Sequence, residues 1–191
     1  GSASFKNIEF KQSDLTSLGF ADDTFDFIVC RYVIHHFPND DGARMEALSE
    51  LYRCLKPGGQ ITFVEPSSMF YDLNNQTEHV RDYLAEVRAS GIVDLEVGKY
   101  LPTLLEKSGF TELDWNTKIF CSRKQLLAQE HKLMADRLEL IRGALSKQIS
   151  GGSARFDRFR DEFLSAFWQP DTIYYAVGVI ATARKTSSGT L

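Results

Sequence analysis

Cysteine is scarce in this sequence of 191 residues. The three cysteines, Cys30, Cys54 and Cys121, lie far apart, and no Cys-x-x-Cys pair occurs. Because paired cysteines at that spacing are the usual start of a zinc site, we expect no metal centre. The odd number of cysteines and the lack of a recognisable signal peptide favour a reducing compartment, so we expect a cytoplasmic protein.

Long apolar runs and clusters of basic residues are also missing. No apolar run is long enough to span a bilayer, so we expect no membrane partner. The net charge is −4, and the lysines and arginines do not gather into a patch that would bind a polyanion. We therefore expect no nucleic-acid partner. This charge balance favours a small neutral or cationic substrate.

Apolar residues, by contrast, are plentiful. They make up 43% of the chain and include 14 phenylalanines, enough for the core of one domain, or of one domain with a subdomain. Short apolar runs alternate with segments of helical periodicity, which indicates an α/β fold with a mostly parallel sheet covered by helices. The predicted strands are residues 8–12, 25–29, 61–64, 113–121 and 172–183. The run at 25–29 is typical of a strand buried on both faces.

The predicted helices fill the spaces between these strands. An apolar face recurs over residues 45–55, and Pro57 followed by Gly58 and Gly59 predicts that this helix ends in a turn. Two longer periodic segments, residues 123–147 and 156–168, predict a helical hairpin before the last strand. This insertion of roughly fifty residues is much longer than an ordinary loop, and insertions of this size usually cap a site or form an interface.

Aromatic residues recur in and near this insertion. They could form the wall of an apolar acceptor pocket, but packing in the core or against a partner is the favoured interpretation. The residues in question are Phe70, Tyr71, Phe156, Phe159, Phe163, Phe167 and Trp168.

Three motifs carry a resemblance to a known family. They are Asp14-Leu15, the run Phe25-Asp26-Phe27-Ile28-Val29-Cys30, and the sequence Leu55-Lys56-Pro57-Gly58-Gly59. They resemble the second half of a class I S-adenosylmethionine-dependent methyltransferase of the type 11 kind, densely over residues 8–65 and more loosely to residue 183. The resemblance implies a partial Rossmann-like methyltransferase sheet. It would hold strands three to seven of the family order 3-2-1-4-5-7-6, with the seventh strand antiparallel and a helical insertion before the last strand.

The family's first two strands have no counterpart in this sequence. In the family, this part carries a glycine-rich turn and an acidic residue that hold the cofactor. Without these strands, residues 25–29 would form an exposed apolar edge, which invites association. We therefore expect a second chain, a swapped copy of this chain or a rearranged sheet to cover the edge. A piece cut from a longer protein would have the same sequence.

The resemblance also suggests a division of the chain. Residues 3–122 would form a methyltransferase core that is incomplete at its N-terminus, and residues 123–170 a helical insertion or cap. Residues 171–185 would return to the core as its final strand. The small polar tail, residues 186–191, is expected to be disordered.

Four residues are candidates for contact with S-adenosylmethionine, the cofactor that the resemblance implies. Asp14 and Leu15 match the family position that reads adenine, where the carboxylate accepts from the exocyclic amine and the next backbone amide donates to the ring. Asp14 could instead stabilise its own turn. Cys30 and Arg31 lie just beyond a strand end, where ligands bind in open α/β sheets, and the resemblance places their backbone against the methionine end of the cofactor. Cys30 could equally be a small buried apolar residue.

Two residues are candidates for catalysis. His36 follows the 25–29 strand, and a histidine that titrates near neutrality can take a proton from an acceptor hydroxyl or amine. Similar proteins often have a histidine at this position, although the pair His35–His36 could also simply fill or cap a loop. Glu65 ends the next strand and could orient or deprotonate an acceptor, or pair with a basic side chain.

These features lead to one principal hypothesis. The chain would take part in the methylation of a small-molecule acceptor, with the missing segment or a partner completing the cofactor site. The alternative is a non-catalytic, methyltransferase-like subunit that binds and stabilises a partner protein. A nicotinamide-dependent dehydrogenase is disfavoured, because the order of the three motifs fits methyltransferases better. The sequence does not identify the acceptor.

Overall fold

The elements of the fold alternate between strands and helices. The computed structural model describes residues 7–37, 41–67, 72–123 and 125–187. The first elements are β1 (Phe25–Arg31), α1 (Asp41–Cys54), β2 (Leu55–Pro66), β3 (Asp72–Leu73) and α2 (Glu78–Ser90). They are followed by α3 (Leu101–Lys107), β4 (Thr111–Arg123), α4 (Gln125–Gln148), α5 (Gly152–Ala166) and β5 (Ile173–Arg184). Two short 3-10 turns lie at Ile34–His36 and Val97–Lys99.

The sheet has the strand order β1-β2-β5-β4, and the short β3 pairs with the start of β5. β1 is parallel to β2, with Ile28 opposite Ile61. β5 is antiparallel both to β2, where Ala181 lies opposite Phe63, and to β4, where Ala181 lies opposite Trp115. This arrangement confirms the α/β class and matches strands 4-5-7-6 of the family order, with the seventh strand antiparallel.

The predicted strand at residues 8–12 is wrong. In the described structure this segment is irregular, and Ile8 and Phe10 are 51% and 95% exposed. Apolar alternation alone does not make a strand, because a strand needs a neighbour for its backbone hydrogen bonds and cross-strand contacts. Among the described residues near this segment, the sole ladder contact is an isolated bridge between Asp14 and Ser17.

The prediction that residues 25–29 are buried on both faces is also wrong. Ile28 and Cys30 pack against the core, whereas Phe27 and Val29 on the opposite side are 52% and 59% exposed. Within the part of the chain that the structure describes, β1 pairs with β2 alone and its other edge is open. The exposed apolar edge expected from the resemblance is therefore present in the described residues.

The turn predicted at Pro57–Gly59 is replaced by strand. α1 ends at Cys54 and β2 begins at Leu55, which lies opposite Phe25. A register shift between Phe25 and Phe27 accommodates the irregularity. Gly58 has a φ of 75°, a left-handed conformation that glycine adopts without steric cost.

Two cores hold the molecule together. In the first, α1 and α3 cover one face of β1, β2 and β5, and the buried residues include Leu48, Ile61, Phe63, Leu101, Leu105 and Ala181. In the second, α2, α4 and α5 pack on one another and on the start of β5, and its centre is the stacked pair Tyr83–Phe159, with ring centroids 4.3 Å apart. The predicted helical hairpin is thus confirmed, and Phe156, Phe159, Phe163 and Phe167 are core residues.

Some predictions fall outside the described residues. These are Phe70 and Tyr71, residues 3–6 of the proposed core and residues 188–191 of the tail. The division into core, insertion and final strand stays a prediction. Across the described ranges, no helix combines the length and the apolar character needed to cross a membrane.

Candidate functional site

The candidate residues Cys30, Arg31 and Glu65 are among the last residues of β1 and β2 rather than beyond them, and they meet at the carboxyl ends of these strands. β1 and β2 are parallel, so their carboxyl ends lie side by side, with Arg31 opposite Val64. The amide of Tyr32 donates to the carbonyl of Val64 at 2.9 Å and ties the segment after β1 to β2. Cys30 and Arg31 therefore lie at the same edge as Glu65. This is where open α/β sheets bind their ligands.

Glu65 holds the histidine-bearing turn in place. Its side chain is fully buried, and Oε1 accepts hydrogen bonds from the amides of Val33 and Ile34, both at 2.9 Å. Oε2 accepts from the amide of His35 at 3.4 Å and lies 3.1 Å from His35 Nδ1. A buried carboxylate needs this kind of compensation, and here it satisfies amides that the short turn leaves open.

A buried ion pair supports the same turn from the other side. Arg44 Nη2 donates to Asp94 Oδ2 at 2.7 Å, and both side chains are buried. Arg44 also reaches the carbonyl of Phe37, at 3.4 Å, and the amide of Asp94 donates to the carbonyl of His35 at 2.8 Å. The backbone on both sides of His36 is therefore fixed by buried polar contacts.

His36 is the histidine on the open side of this turn. Its ring lies 3.9 Å, centroid to centroid, from the ring of His35, and it is exposed where the turn borders a cavity. Partial burial and the neighbouring His35 lower the pKa of His36 from its usual value of 6.5, while the charge of Glu65 acts in the opposite direction. His36 is then mostly neutral at pH 7 and can accept a proton.

Cys30 and Arg31 differ in what their side chains can do. Cys30 is buried, and burial together with the charge of Glu65 raises the pKa of its thiol to about 12. The thiol stays protonated at neutral pH, in agreement with the interpretation of Cys30 as a small buried apolar residue. Arg31 is exposed, and its guanidinium lies 5.0 Å from the centre of the Tyr32 ring. The backbone roles suggested for both residues stay predictions.

Asp14 lies in a turn of its own. Its Oδ1 accepts from the amide of Thr16 at 2.9 Å and from the Thr16 hydroxyl at 2.7 Å, and these bonds lower the pKa of Asp14. In the described part of the chain, Oδ2 accepts no hydrogen bond, and Asp14 as a whole is exposed. Leu15 is partly buried against the core that contains Cys30. Among the described residues, no side-chain hydrogen bond or ion pair joins Asp14 to the histidine turn.

A cavity of about 450 Å³ lies between the histidine turn and the helices α2, α4 and α5. Its walls are mostly apolar, and its polar residues include Tyr32, His35 and His36. The other lining residues are Tyr83, Leu84, Val87, Ile92, Val93, Leu95, Arg137, Leu140, Ile141, Ala144, Leu145 and Phe159. The volume falls in the range of small-molecule sites. Phe159, a residue of the predicted aromatic set, contributes to both the core and the cavity wall.

The sequence interpretation missed Tyr32. Its φ is 55°, the left-handed region that a bulky residue adopts at a cost of about 1–3 kcal/mol. Nothing in the local sequence marks this conformation. The lining residues of α4 lie within the periodic segment 123–147, for which the sequence predicted a helix but not a cavity wall.

Metal binding has no support in the described structure. Within residues 7–37, 41–67, 72–123 and 125–187, no group of three or more histidine, cysteine or acidic side chains is arranged to hold a metal ion.

Comparison with known proteins identifies relatives of part of the chain. Residues 2–63 match the family described as a methyltransferase domain. The ubiquinone/menaquinone biosynthesis C-methyltransferase of Haemophilus ducreyi is 29% identical over 124 residues, which are 57% of this chain and 46% of that protein. The demethylmenaquinone methyltransferase of Lactococcus lactis is 27% identical over 125 residues, 58% of this chain and 48% of that protein. The chain thus spans about half the length of these relatives.

Solved structures match over nearly the whole chain. A protein of Bacillus halodurans assigned as a methyltransferase is 24% identical, with a TM-score of 0.52 and coverage of 96% of this chain and 74% of that chain. An S-adenosylmethionine-dependent methyltransferase of Methanosarcina mazei is 19% identical, with a TM-score of 0.51 and coverage of 94% and 68%. At this level of identity, the likeness shows a shared fold.

Proposed function

We propose that this chain is part of a class I S-adenosylmethionine-dependent methyltransferase and takes part in methyl transfer to a small-molecule acceptor. The observation that carries the proposal is the position of the cavity. It adjoins His36 at the carboxyl ends of β1 and β2, and the helical hairpin forms part of its opposite wall. An acceptor in this cavity would lie beside the strand ends at which ligands of such sheets bind.

The described residues fit one side of a cofactor site. Asp14 has a carboxylate oxygen available for an amine donor. The backbone of Cys30 and Arg31 lies at the carboxyl end of β1. When bound, S-adenosylmethionine supplies an electrophilic methyl group, and S-adenosylhomocysteine leaves. Contacts to the rest of the cofactor would come from outside the described residues.

The residues of this chain would act by alignment and by proton transfer. The apolar walls of the cavity exclude water and hold an acceptor in a fixed orientation. Neutral His36 can accept the proton that an acceptor hydroxyl or amine loses. Glu65 is engaged through both oxygens and lies beneath His35, so we propose a positioning role for it in place of the direct acid–base role considered from the sequence.

We further propose that a second polypeptide segment completes the site at the free edge of β1. Phe27 and Val29 expose apolar surface there, and no described strand pairs with that edge. Such an edge is a ready template for another strand. The segment would be a preceding part of a longer polypeptide, a second chain or another copy of this chain.

The names of two relatives suggest an acceptor for the test. Reduced demethylmenaquinone would be offered to the chain together with the preceding half of the Haemophilus ducreyi relative, with methyl-labelled S-adenosylmethionine. We expect labelled product and S-adenosylhomocysteine in equal amounts. The variant His36→Asn should lose most of the rate, and His131→Asn, a histidine on α4 packed against Trp168, should not. Product formation that is unaffected by His36→Asn would contradict the proposed base.

The second candidate is a non-catalytic subunit that stabilises a partner. The open edge of β1 and the exposed face of β4 favour it, since Trp115 and Ile119 are 55% and 70% exposed. The two proposals differ in cofactor binding. A completed complex that is stable but binds no S-adenosylhomocysteine would support the non-catalytic subunit.

A further inference from the structure

Except for Arg137 on α4 and the hydroxyl of Tyr83 on α2, the polar and apolar parts of the cavity wall lie on different elements. The polar residues Tyr32, His35 and His36 belong to the segment that follows β1. The opposite walls come from α2, α4 and α5, and their buried members are apolar or aromatic, namely Tyr83, Leu84, Val87, Leu145 and Phe159. A ligand that matches this surface has one polar group and an apolar body.

The charged residues of the cavity wall restrict the chemical class of the ligand further. Among the described residues that line it, Arg137 is the only lysine or arginine, and no aspartate or glutamate lines it. His35 already faces the carboxylate of Glu65 at 3.1 Å. A phosphorylated, zwitterionic or polyhydroxylated acceptor would leave most of its polar groups without partners, which is costly in an apolar site. These walls suit an uncharged acceptor.

The residues at the rim of the cavity indicate how a ligand would be oriented in it. Leu140 lines the cavity and is 85% exposed, so it lies at an opening on the hairpin side. His36 is the exposed lining residue on the side of the sheet. A ligand whose polar group lies near His36 would therefore extend its apolar body toward α4.

Tyr32 occupies a strained position in this wall. Its φ of 55° is unfavourable for a tyrosine, whereas glycine would adopt it freely. The hydrogen bond from its amide to Val64 fixes the backbone, and its ring meets the ring of His35 edge-on, at 6.2 Å between centroids. Strain of this kind at the mouth of a cavity indicates that the position of the side chain is used in function.

We propose that the cavity binds an uncharged aromatic acceptor that presents a hydroxyl group, and that the ring of Tyr32 determines its orientation. The hydroxyl lies toward His36, and the aromatic body lies between Tyr32 and the apolar walls of α2 and α4. This inference rests on the proposed function, because it takes the cavity to be the acceptor site. All residues that line the cavity belong to this chain, so binding can be measured without methyl transfer.

The test is a fluorescence titration of the whole chain with 1-naphthol. Inositol, a ring compound with many hydroxyls, serves as the polar comparison. We expect saturable micromolar binding of 1-naphthol and none of inositol. Tyr32→Gly should weaken 1-naphthol binding by about tenfold or more, because it removes the ring. Tyr32→Phe should stay within about threefold of the unmodified chain, since the ring is kept.

Controls separate a binding role from a structural one. Tyr32→Gly should change the thermal unfolding midpoint by less than about 4 °C, since it removes both the strain and some packing. Tyr175→Phe, on β5 outside the cavity lining, should leave binding unchanged. Ala144→Phe, at an exposed lining position on α4, should block binding with little effect on stability.

The outcomes also distinguish this inference from the proposed function. Equal binding by Tyr32→Gly and the unmodified chain, or binding of inositol in preference to 1-naphthol, would overturn the role of Tyr32 or the acceptor class. A third result would separate the two proposals. If 1-naphthol binds saturably and this binding depends on Tyr32, the ligand class is supported. If the completed complex then transfers no methyl group, the proposed function is contradicted.

Discussion

Individual side chains at the carboxyl edge of the sheet fall into two groups. Glu65, Arg44 and Asp94 are buried, and each takes part in hydrogen bonds or an ion pair. His36 and Tyr32 border the cavity. The first group fixes the backbone on which the second group is carried, so substitutions in the two groups should have different consequences.

Glu65→Gln should destabilise the fold. The amide nitrogen that replaces one carboxylate oxygen cannot accept from the amides of the turn, so at least one buried donor loses its partner, at a cost of about 1–3 kcal/mol. Urea unfolding would measure the loss, with the exposed Glu46→Gln as the matched control. Unchanged stability of Glu65→Gln would show that its hydrogen bonds do not hold the turn.

His36 gives a prediction for the dependence on pH. Burial and His35 lower its pKa from 6.5, so the neutral form should predominate above that value. The rate of methyl transfer by the completed enzyme should rise with pH up to a pKa below 6.5 and then level off. His36→Asn should lower the rate by about 10²–10⁴-fold and remove this step. A rate that falls as pH rises through this range would require a protonated His36 and would contradict its role as a base.

The same shift affects stability with a defined sign. A lowered pKa means that the unfolded chain binds more protons than the folded chain near pH 6. Above the unfolded pKa of 6.5, titration of His36 therefore does not change the free energy of unfolding. As the pH falls below 6.5, the free energy of unfolding decreases and the folded state loses stability.

At the scale of elements, α4 offers a matched pair of leucines. Leu138 is fully buried among α2 and α5, whereas Leu140 is 85% exposed at the rim of the cavity. Leu138→Ala should cost about 2–5 kcal/mol in unfolding free energy, and Leu140→Ala less than about 0.5 kcal/mol. Thermal or urea unfolding of both variants would measure the difference. Equal effects would show that the hairpin does not pack as described.

Elements with their own periodicity could be predicted from the sequence, and those that depend on a neighbour could not. The helical hairpin followed from the spacing of apolar residues, because α4 and α5 bury one face each. Residues 8–12 alternate equally well, yet without a paired strand they stay irregular. The Pro57–Gly59 segment looked like a turn, but pairing of Leu55 with Phe25 draws it into β2.

The candidate site shows the same division. The positions of Cys30, Arg31 and Glu65 at one edge followed from parallel strands. The cavity could not be predicted, because it needs α2, α4 and the histidine turn in their tertiary arrangement. The left-handed backbone of Tyr32 is a tertiary feature as well, since the hydrogen bond to Val64 holds it.

At the scale of the whole molecule, the free edge of β1 should govern association. If another strand pairs there, Val29→Lys should weaken that association, because it places a charge on the exposed apolar side of the edge. Ile119→Lys on β4 tests the opposite edge of the sheet and should have no effect. Light scattering over a dilution series would compare them. Association that is lost in Ile119→Lys and kept in Val29→Lys would assign the interface to β4.

Isothermal titration of S-adenosylhomocysteine, with the mass of the protein determined on the same sample, tests whether the cofactor site is shared across the β1 edge. The chain would be titrated alone and together with the preceding half of the Haemophilus ducreyi relative. We expect no binding by a folded monomer, and micromolar binding once a second segment covers the β1 edge. Micromolar binding by the isolated monomer would contradict the claim that the cofactor site is shared across that edge.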